Sequence, residues 1–157
     1  MGYIEEIREL IGHKCVVLTG SLVVIRDGDG RILLEKRTYP KGTWGLPGGL
    51  MELSESTVET AKREVFEETN LTVGELELLG VYSGKDYFCT AQNGDQWYVV
   101  IIAYATDSYS GDMRINDDES ERLEWFGIDS IPDSIAKTHR AIIEDYIESV
   151  KSKKDDA

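Results

Sequence analysis

The chain has 157 residues, of which 41% are hydrophobic, and this length is sufficient for one globular domain with a sizeable core. Its 17 Lys and Arg against 30 Asp and Glu give a net charge of -13, which would repel a long nucleic acid. If the substrate is nevertheless a small phosphate ester, this acidity predicts divalent cations as the bridge between protein carboxylates and substrate phosphates.

Several features bear on the location of the protein. Cys15 and Cys89 have neither CxxC spacing nor histidines at ligand spacing, so we expect reduced thiols. The N-terminus, MGYIEEIREL, is acidic with helical periodicity, unlike a secretory signal. The longest nearly apolar run, CVVLTGSLVVI, is shorter than the roughly 20 residues that a membrane span needs. The sequence therefore predicts a cytoplasmic protein that does not associate with membranes.

The first part of the chain predicts a helix, two strands and a loop. Apolar residues recur at helical spacing over residues 3–11 and Gly12 follows as a stop signal, so we expect a short amphipathic helix that packs on the domain or on a second subunit. The β-branched and apolar segment 15–37 predicts strands around a turn at Asp27–Gly30. Residues 39–49 contain turn-forming Pro and Gly and predict a loop.

The middle of the chain predicts a central helix. The segment from Ser56 to Thr69 contains neither Gly nor Pro, and Val58, Ala61 and Val65 form one apolar stripe. Strand-like segments then flank a QNGD turn signal at residues 92–95, as in an antiparallel hairpin.

The last third predicts a strand and a closing helix. An acidic stretch at 107–121 leads to a short strand at Leu123–Phe126, and apolar residues after Pro132 recur at helical spacing. Residues 151–157 predict a frayed polar tail. The order helix, strands, helix, strands, helix favours the α/β or α+β class, with one domain over residues 1–157 and a mixed sheet between helices.

Three glutamates share one face of the predicted central helix. Glu64, Glu67 and Glu68 lie at i, i+3 and i+4, where each like-charge pair costs about 0.2–0.5 kcal/mol. A solvated acidic face is one interpretation. However, the glycines at 48–49 let the backbone approach a ligand closely, and Arg63 can hold a carboxylate in place. These features predict a site for a hard cation.

The segment that contains these residues resembles the Nudix box, the signature of the Nudix hydrolases. Gly49, five residues, Glu55, seven residues and then REVFEETNL reproduce the spacing of that motif. Asn70 is the exception, because the family has Gly there. Asn is the next most tolerant residue of left-handed backbone, so we expect Asn70 to end the helix in that conformation. The resemblance implies a single-domain Nudix fold.

The resemblance also implies an activity. It is hydrolysis of a nucleoside diphosphate linked to another moiety, which gives a nucleoside monophosphate and a phosphorylated remainder. It implies that Glu67, Glu68 and the Gly48 carbonyl bind Mg²⁺, with Mn²⁺ as a substitute. The same ligands are all oxygen atoms, which favours Mg²⁺ over zinc.

Other residues of the motif receive supporting roles from the resemblance. Glu64 would be a further metal ligand or the general base, since family members differ on this point. Arg63 and Glu55 would orient the carboxylates. Arg37 resembles a strand-end residue that touches substrate phosphate in some relatives, although a plain surface charge is an equal alternative.

Family members often recruit one more acid from the loop before the last strand. By its distance from Trp125, Glu119 is the residue that we expect in this role. Asp117, Asp118 and Glu121 are alternatives, and a merely solvated loop is a further one.

Aromatic and histidine residues carry a weaker signal. Five aromatic residues would serve either as stacking platforms for a nucleobase or as core: Trp44, Tyr82, Tyr87, Trp97 and Tyr98. We take Trp44 as the candidate for substrate binding. His13 and His139 have no partner motif, so we expect surface roles for both.

The competing hypothesis is a non-catalytic nucleotide-sensing module of the same fold. Such a module would be free to lose catalytic carboxylates, whereas all three glutamates of the central helix are present. RNA decapping would require a basic surface, which the net charge opposes. We therefore expect a small nucleotide as the partner and no long nucleic acid, with a homodimer as an option. The sequence does not select among nucleotides.

Overall fold

The structure, a computed structural model, describes residues 2–156, and Met1 and Ala157 lie outside the described residues. Helices α1, α2 and α3 span Tyr3–Ile11, Thr57–Thr69 and Lys137–Asp155. The strands are β1 Val16–Ile25, β2 Ile32–Arg37, β3 Trp44–Gly45, β4 Gly48–Leu50, β5 Thr72–Val73, β6 Glu77–Tyr82, β7 Phe88–Thr90, β8 Gln96–Thr106, β9 Tyr109–Ser110 and β10 Ser120–Phe126. None of the helices within residues 2–156 combines the length and the apolar character needed to cross a membrane.

A mixed sheet forms the centre of the fold. Its order is β4-β1-β8-β6, and β7 also pairs with β8. Strands β1 and β8 are parallel along the whole of β1, whereas β4, β6 and β7 join antiparallel. Strand β2 pairs with β10 and β3 in a second sheet, and β5 pairs with β9. The predicted α+β class with a mixed sheet is confirmed.

Two hydrophobic cores lie on opposite faces of β1, because successive side chains of a strand point to opposite faces. Leu22 and Val24 belong to the core that includes Ile142 of α3. Val23 belongs to the core that includes Val65 of α2. The sheet therefore lies between α2 and α3, and α2 is fixed against one face of β1.

Local signals determine both ends of α2. At the start, the Ser56 hydroxyl accepts a hydrogen bond from the Glu59 N–H, and the Glu59 carboxylate accepts one from the Ser56 N–H, each at 3.0 Å. This reciprocal capping box satisfies two donors that a helix otherwise leaves free. At the end, Asn70 has φ 65° and ψ 8°, the left-handed conformation expected from the sequence. Its N–H donates to the Phe66 carbonyl at 2.9 Å.

Two details of the predicted helices are wrong. Of the apolar stripe on α2, Ala61 and Val65 are buried but Val58 is 36% exposed, because it lies in the first turn at the edge of the core. The tail predicted at residues 151–157 is helical as far as Asp155. Two lysines in this last turn favour the helix, since cations stabilise its C-terminus.

Helix α1 is attached to the domain through polar contacts. The Arg8 guanidinium donates to the Gln96 carbonyl at 2.7 Å, and the Tyr3 N–H donates to the Glu52 carboxylate at 2.8 Å. Leu10, on the apolar side of this helix, remains 86% exposed. The helix therefore carries an apolar side chain that the described chain does not cover.

We expect Asn70→Val to lower the free energy of unfolding by about 1–2 kcal/mol, because a β-branched residue is strained in the left-handed region. Asn70→Gly should change it by less than about 0.5 kcal/mol, since relief of the backbone offsets the lost side-chain hydrogen bonds. Asn70 Nδ2 donates to the Asp112 carbonyl at 2.9 Å, and Asn70 Oδ1 accepts a long bond from Arg114 at 3.5 Å. Urea unfolding in EDTA measures both changes. Equal stability of wild type and the Val variant would contradict the role of Asn70 as the helix end.

Candidate active site

The free edge of β4 faces the carboxylates of α2. The Gly48 N–H donates to Glu68 Oε1 at 2.9 Å, and the Leu50 carbonyl accepts a hydrogen bond from Arg63 at 3.0 Å. The N–H and the carbonyl of one residue point to the same side of a strand, so the Gly48 carbonyl faces this edge too. The backbone oxygen predicted as a metal ligand therefore lies on the side of β4 where the glutamates are.

Gly49 lies directly against Glu64. A Cβ at this position would be 2.6 and 2.7 Å from the two carboxyl oxygens of Glu64, closer than real Cβ atoms approach other atoms. Any larger residue would displace the carboxylate or the helix that carries it. Glycine at position 49 thus sets the distance between β4 and α2.

Arg63 binds three carboxylates at once. Its Nε and Nη2 donate to the two oxygens of Glu55 at 2.6 and 2.9 Å. Its Nη1 donates to Glu64 at 2.8 Å and to Glu67 at 3.1 Å. Charge-assisted, bidentate pairs of this kind are among the stronger hydrogen bonds in proteins. The guanidinium therefore fixes the orientation of a cluster of like charges.

The environment divides these carboxylates into two electrostatic types. The hydrogen bonds from Arg63 lower the pKa of Glu55 to about 2. Burial raises the pKa of Glu64 to about 7 despite the same guanidinium, and the nearby charges of Glu67 and Glu119 act in the same direction. Glu55 is therefore ionised throughout the neutral range, whereas Glu64 changes its charge close to neutral pH.

Glu68 is more deeply buried than the other two helix glutamates. It is only 2% exposed, and burial together with the adjacent Glu35 carboxyl raises its pKa well above the usual range. Glu35, on β2, is 5% exposed and was not identified from the sequence. The only sequence signal for Glu35 is that an acidic residue directly follows three apolar residues in ILLEKR. The sequence does not show that the Glu35 carboxyl lies beside that of Glu68.

Two loop acids complete the acidic cluster. Single carboxylate oxygens of Glu68, Asp117 and Glu119 lie within 4.8 Å of one another. The loop is held on both sides, since the Arg114 N–H donates to the end of α2 at the Thr69 carbonyl at 3.0 Å, and the Glu119 carbonyl accepts from the Thr38 N–H at 3.0 Å. The structure thus brings the predicted Glu119, and its competitor Asp117, to the helix glutamates.

The two residues predicted to bind substrate lie in different surroundings. Arg37, at the end of β2, is half-buried. Burial raises the pKa of Glu119 and of Glu35, and the charge of Arg37 opposes this rise. Trp44 is only 9% exposed and packs edge-on against Phe126, with ring centroids 4.9 Å apart. Because its ring is part of the core, the structure supports the core alternative for Trp44 and not nucleobase stacking.

His139 differs from its predicted surface role. It is buried, its Nδ1 accepts a hydrogen bond from the Leu46 N–H at 3.0 Å, and burial lowers its pKa to about 3. A neutral imidazole therefore supports the backbone that leads into β4. His13 is exposed, and its ring lies 2.7 Å from Asp95.

The residues of the cluster fit a hard divalent cation. The available donors are carboxylate and backbone carbonyl oxygens, the ligand type that Mg²⁺ and Mn²⁺ prefer. Within residues 2–156, no Lys, Arg or His forms an ion pair with Glu35 or Glu68. Buried carboxylates without a cationic side chain are characteristic of metal-binding sites.

Comparisons with known proteins agree with this arrangement. A NUDIX domain model matches residues 18–146. The ADP-ribose pyrophosphatase of Methanocaldococcus jannaschii is 35% identical over 137 residues, which cover 86% of this chain and 74% of that protein. The crystal structure of a MutT NUDIX hydrolase from Burkholderia pseudomallei has a TM-score of 0.70 and 33% identity, over 82% of this chain and 97% of that chain. The NAD-capped RNA hydrolase NudC of Pseudomonas aeruginosa is 26% identical over 121 residues, 76% of this chain and 40% of that protein.

The chain therefore belongs to the NUDIX family, as the motif at Gly49–Leu71 predicts. It is a hydrolase that acts on pyrophosphate bonds of nucleoside diphosphate derivatives.

In the metal-free protein, we expect Glu64→Gln to gain stability relative to wild type as the pH rises from about 4.5 to 7. The folded pKa of Glu64 is about 7 and its ordinary value is 4.5, so the folded wild type binds more protons in this window and loses stability as they leave. The relative gain should be on the order of 3 kcal/mol. The lowered pKa of His139 makes the stability of the folded protein rise with pH over part of this range. This contribution is the same in wild type and in Glu64→Gln, so it cancels when the two are compared.

Thermal melting in EDTA at closely spaced pH values measures this difference. Glu148→Gln, an exposed glutamate on α3, is the control and should follow wild type at every pH. A Glu64→Gln curve parallel to that of wild type would show that Glu64 titrates near its ordinary value.

Proposed function

We propose that the protein hydrolyses the diphosphate linkage of a nucleoside diphosphate joined to another moiety, using Mg²⁺ and releasing a nucleoside monophosphate and a phosphorylated remainder. The observation that carries this proposal is the convergence of acidic oxygens from three elements at the edge of β4. These are the carboxylates of Glu64, Glu67 and Glu68 on α2, those of Asp117 and Glu119 on the loop before β10, and the Gly48 carbonyl on β4.

In this proposal Glu67, Glu68 and the Gly48 carbonyl hold Mg²⁺, and Mn²⁺ can replace it. The bound ion would neutralise charge on the phosphate oxygens and help to orient the attacking water. Arg63 holds Glu67 at 3.1 Å and, through Glu55, fixes the segment that leads into α2. These contacts support a preorganised ligand set, since the carboxylates do not have to be gathered when the ion arrives.

Glu64 is the residue that we favour as the general base. It lies on a rigid helix beside both ligands, and Gly49 and Arg63 fix its carboxylate on two sides. It would take the proton of a water whose oxygen forms a bond to phosphorus, while the bond from that phosphorus to the bridging oxygen breaks. The released phosphate keeps the electron pair of the broken bond. Glu119 is the alternative base, on the loop.

Arg37 is proposed to contact a substrate phosphate, because it lies beside Glu119 at the margin of the acidic cluster. The similarity to an ADP-ribose pyrophosphatase makes ADP-ribose the first substrate to test. The net charge of -13 favours a small nucleotide over a long nucleic acid. The two free cysteines agree with a cytoplasmic location. The exposed Leu10 on α1 is the basis for proposing a homodimer.

A substrate panel tests the proposed activity. It includes ADP-ribose, sugar nucleotides, choline nucleotides, dinucleoside polyphosphates, oxidised triphosphates and NAD-capped RNA, with phosphate released by a coupled phosphatase as the readout. We expect Mg²⁺-dependent hydrolysis of a small nucleotide, and Glu67→Gln or Glu68→Gln should lower turnover at least about a hundredfold. Glu148→Gln should retain wild-type turnover, and the melting temperature in EDTA should show that all variants are folded.

Two results would contradict the proposal. Near-normal turnover in both Glu67→Gln and Glu68→Gln would remove these residues from the catalytic site. Preference for the capped RNA over every small nucleotide would overturn the substrate class.

The Glu119→Gln variant distinguishes a ligand from a base. The Glu119 carboxylate lies within 4.8 Å of that of Glu68, so we expect the variant to need more Mg²⁺ for half-maximal rate. If Glu119 instead positions water, turnover should fall several-fold to about a hundredfold at an unchanged Mg²⁺ requirement. Glu121→Gln, two residues further on an exposed part of β10, is the matched control. A Glu119→Gln enzyme equal to wild type at every Mg²⁺ concentration would indicate a solvated loop.

A further inference from the structure

Glu35 is a buried carboxyl that neither the sequence motif nor the proposed mechanism uses. It lies on β2, between Leu34, which is fully buried, and the half-exposed Lys36. Its side chain is 5% exposed, and its Oε2 atom is buried without a hydrogen-bond partner within residues 2–156. Most buried polar atoms have partners, so an unpartnered carboxyl oxygen requires an explanation.

The groups around Glu35 are mainly acidic. The Glu68 carboxyl lies beside it, and the charge of Asp117 also acts on it. Arg37 is the positive group that faces it, but the two form no ion pair, and the Ser120 hydroxyl nearby also lacks a partner in the described chain. Glu35 is therefore a buried carboxyl beside Glu68, which itself belongs to the acidic cluster with Asp117 and Glu119.

The backbone holds Glu35 firmly in this position. Strand β2 is paired on both sides, with Glu35 opposite Gly45 of β3 and opposite Leu123 of β10. The end of β2 is also bonded to the loop before β10. The Thr38 N–H and hydroxyl both donate to the Glu119 carbonyl, at 3.0 and 3.1 Å. A carboxylate on a paired central strand is a more precisely placed ligand than one on a loop.

We propose that Glu35 is a further ligand of a divalent cation, which it binds together with Glu68, the member of the acidic cluster that lies beside it. This inference rests on the proposed function in one respect, namely that Glu68 binds a divalent cation. A cation between Glu35 and Glu68 would give the unpartnered Oε2 atom a partner and would offset the repulsion between two buried carboxylates. It would also join α2 and β2 through one ion.

Metal binding without nucleotide tests this inference separately from catalysis. Mn²⁺ is the probe, and titration followed by electron paramagnetic resonance of the free ion counts the bound ions per chain. We expect Glu35→Gln to bind one Mn²⁺ fewer than wild type or to bind it at least about tenfold more weakly. Glu124→Gln is the matched control, because this partly exposed glutamate lies on the neighbouring strand β10 and pairs with Arg122 at 2.8 Å.

The Gln substitution also separates ligation from a purely structural pairing. A glutamine at position 35 has nearly the same shape and can donate a hydrogen bond to Glu68, so it would preserve a hydrogen-bonded pair but replace an anionic ligand. Mn²⁺ binding by Glu35→Gln with wild-type number and affinity would overturn the inference. Melting in EDTA shows whether the variant is folded.

Wild-type crystals soaked in Mn²⁺ provide a second measurement that does not depend on any variant. An anomalous-difference peak within about 2.5 Å of a Glu35 carboxylate oxygen would support the assignment. Peaks at Glu67 or Glu68 with none at Glu35 would overturn it. Mn²⁺ bound at Glu35 in a protein that hydrolyses no member of the nucleotide panel would refute the proposed function and leave this inference standing.

Discussion

The Arg63 guanidinium is the interaction on which the rest of the site depends. It joins Glu55 in the segment before α2, Glu64 and Glu67 on α2, and the Leu50 carbonyl of β4. Without a fixed cation, these carboxylates would repel one another, and the edge of β4 would keep only the hydrogen bond from the Gly48 N–H to Glu68. The hydrogen bond to Glu55 is the largest contribution that raises the pKa of Arg63, so this cation remains charged under all physiological conditions.

The carboxyl groups that Arg63 does not contact differ in pKa from Glu55, which it does contact. Glu55 accepts two hydrogen bonds from the guanidinium and holds a permanent negative charge, whereas Glu68 and Glu35 lie in the interior with raised pKa values. The same residue type therefore serves in two ways within one cluster, because burial and hydrogen bonding act on it with opposite sign. A divalent cation bound at Glu68 would favour the ionised form of this buried carboxyl.

Much of the fold and part of the site follow from local sequence. The spacing of Glu64 within a capped helix and the left-handed Asn70 depend only on near neighbours, and the structure confirms both the helix and its end. Glu35, Trp44 and His139 were missed or misplaced because their surroundings are created by strand pairing and helix packing between distant segments. The β2 to β10 pairing, for example, joins residues more than eighty positions apart, and no periodicity within either strand reports it.

Gly49 shows how the absence of one methyl group can govern the chemistry of another residue. Because Gly49 has no Cβ, the backbone of β4 can lie close to the Glu64 carboxyl, where a Cβ would come within 2.6 and 2.7 Å of the two oxygens. This close packing is part of the burial that raises the pKa of Glu64 to about 7. The basicity of a side chain on α2 thus depends in part on the absence of a side chain fifteen residues earlier in the chain.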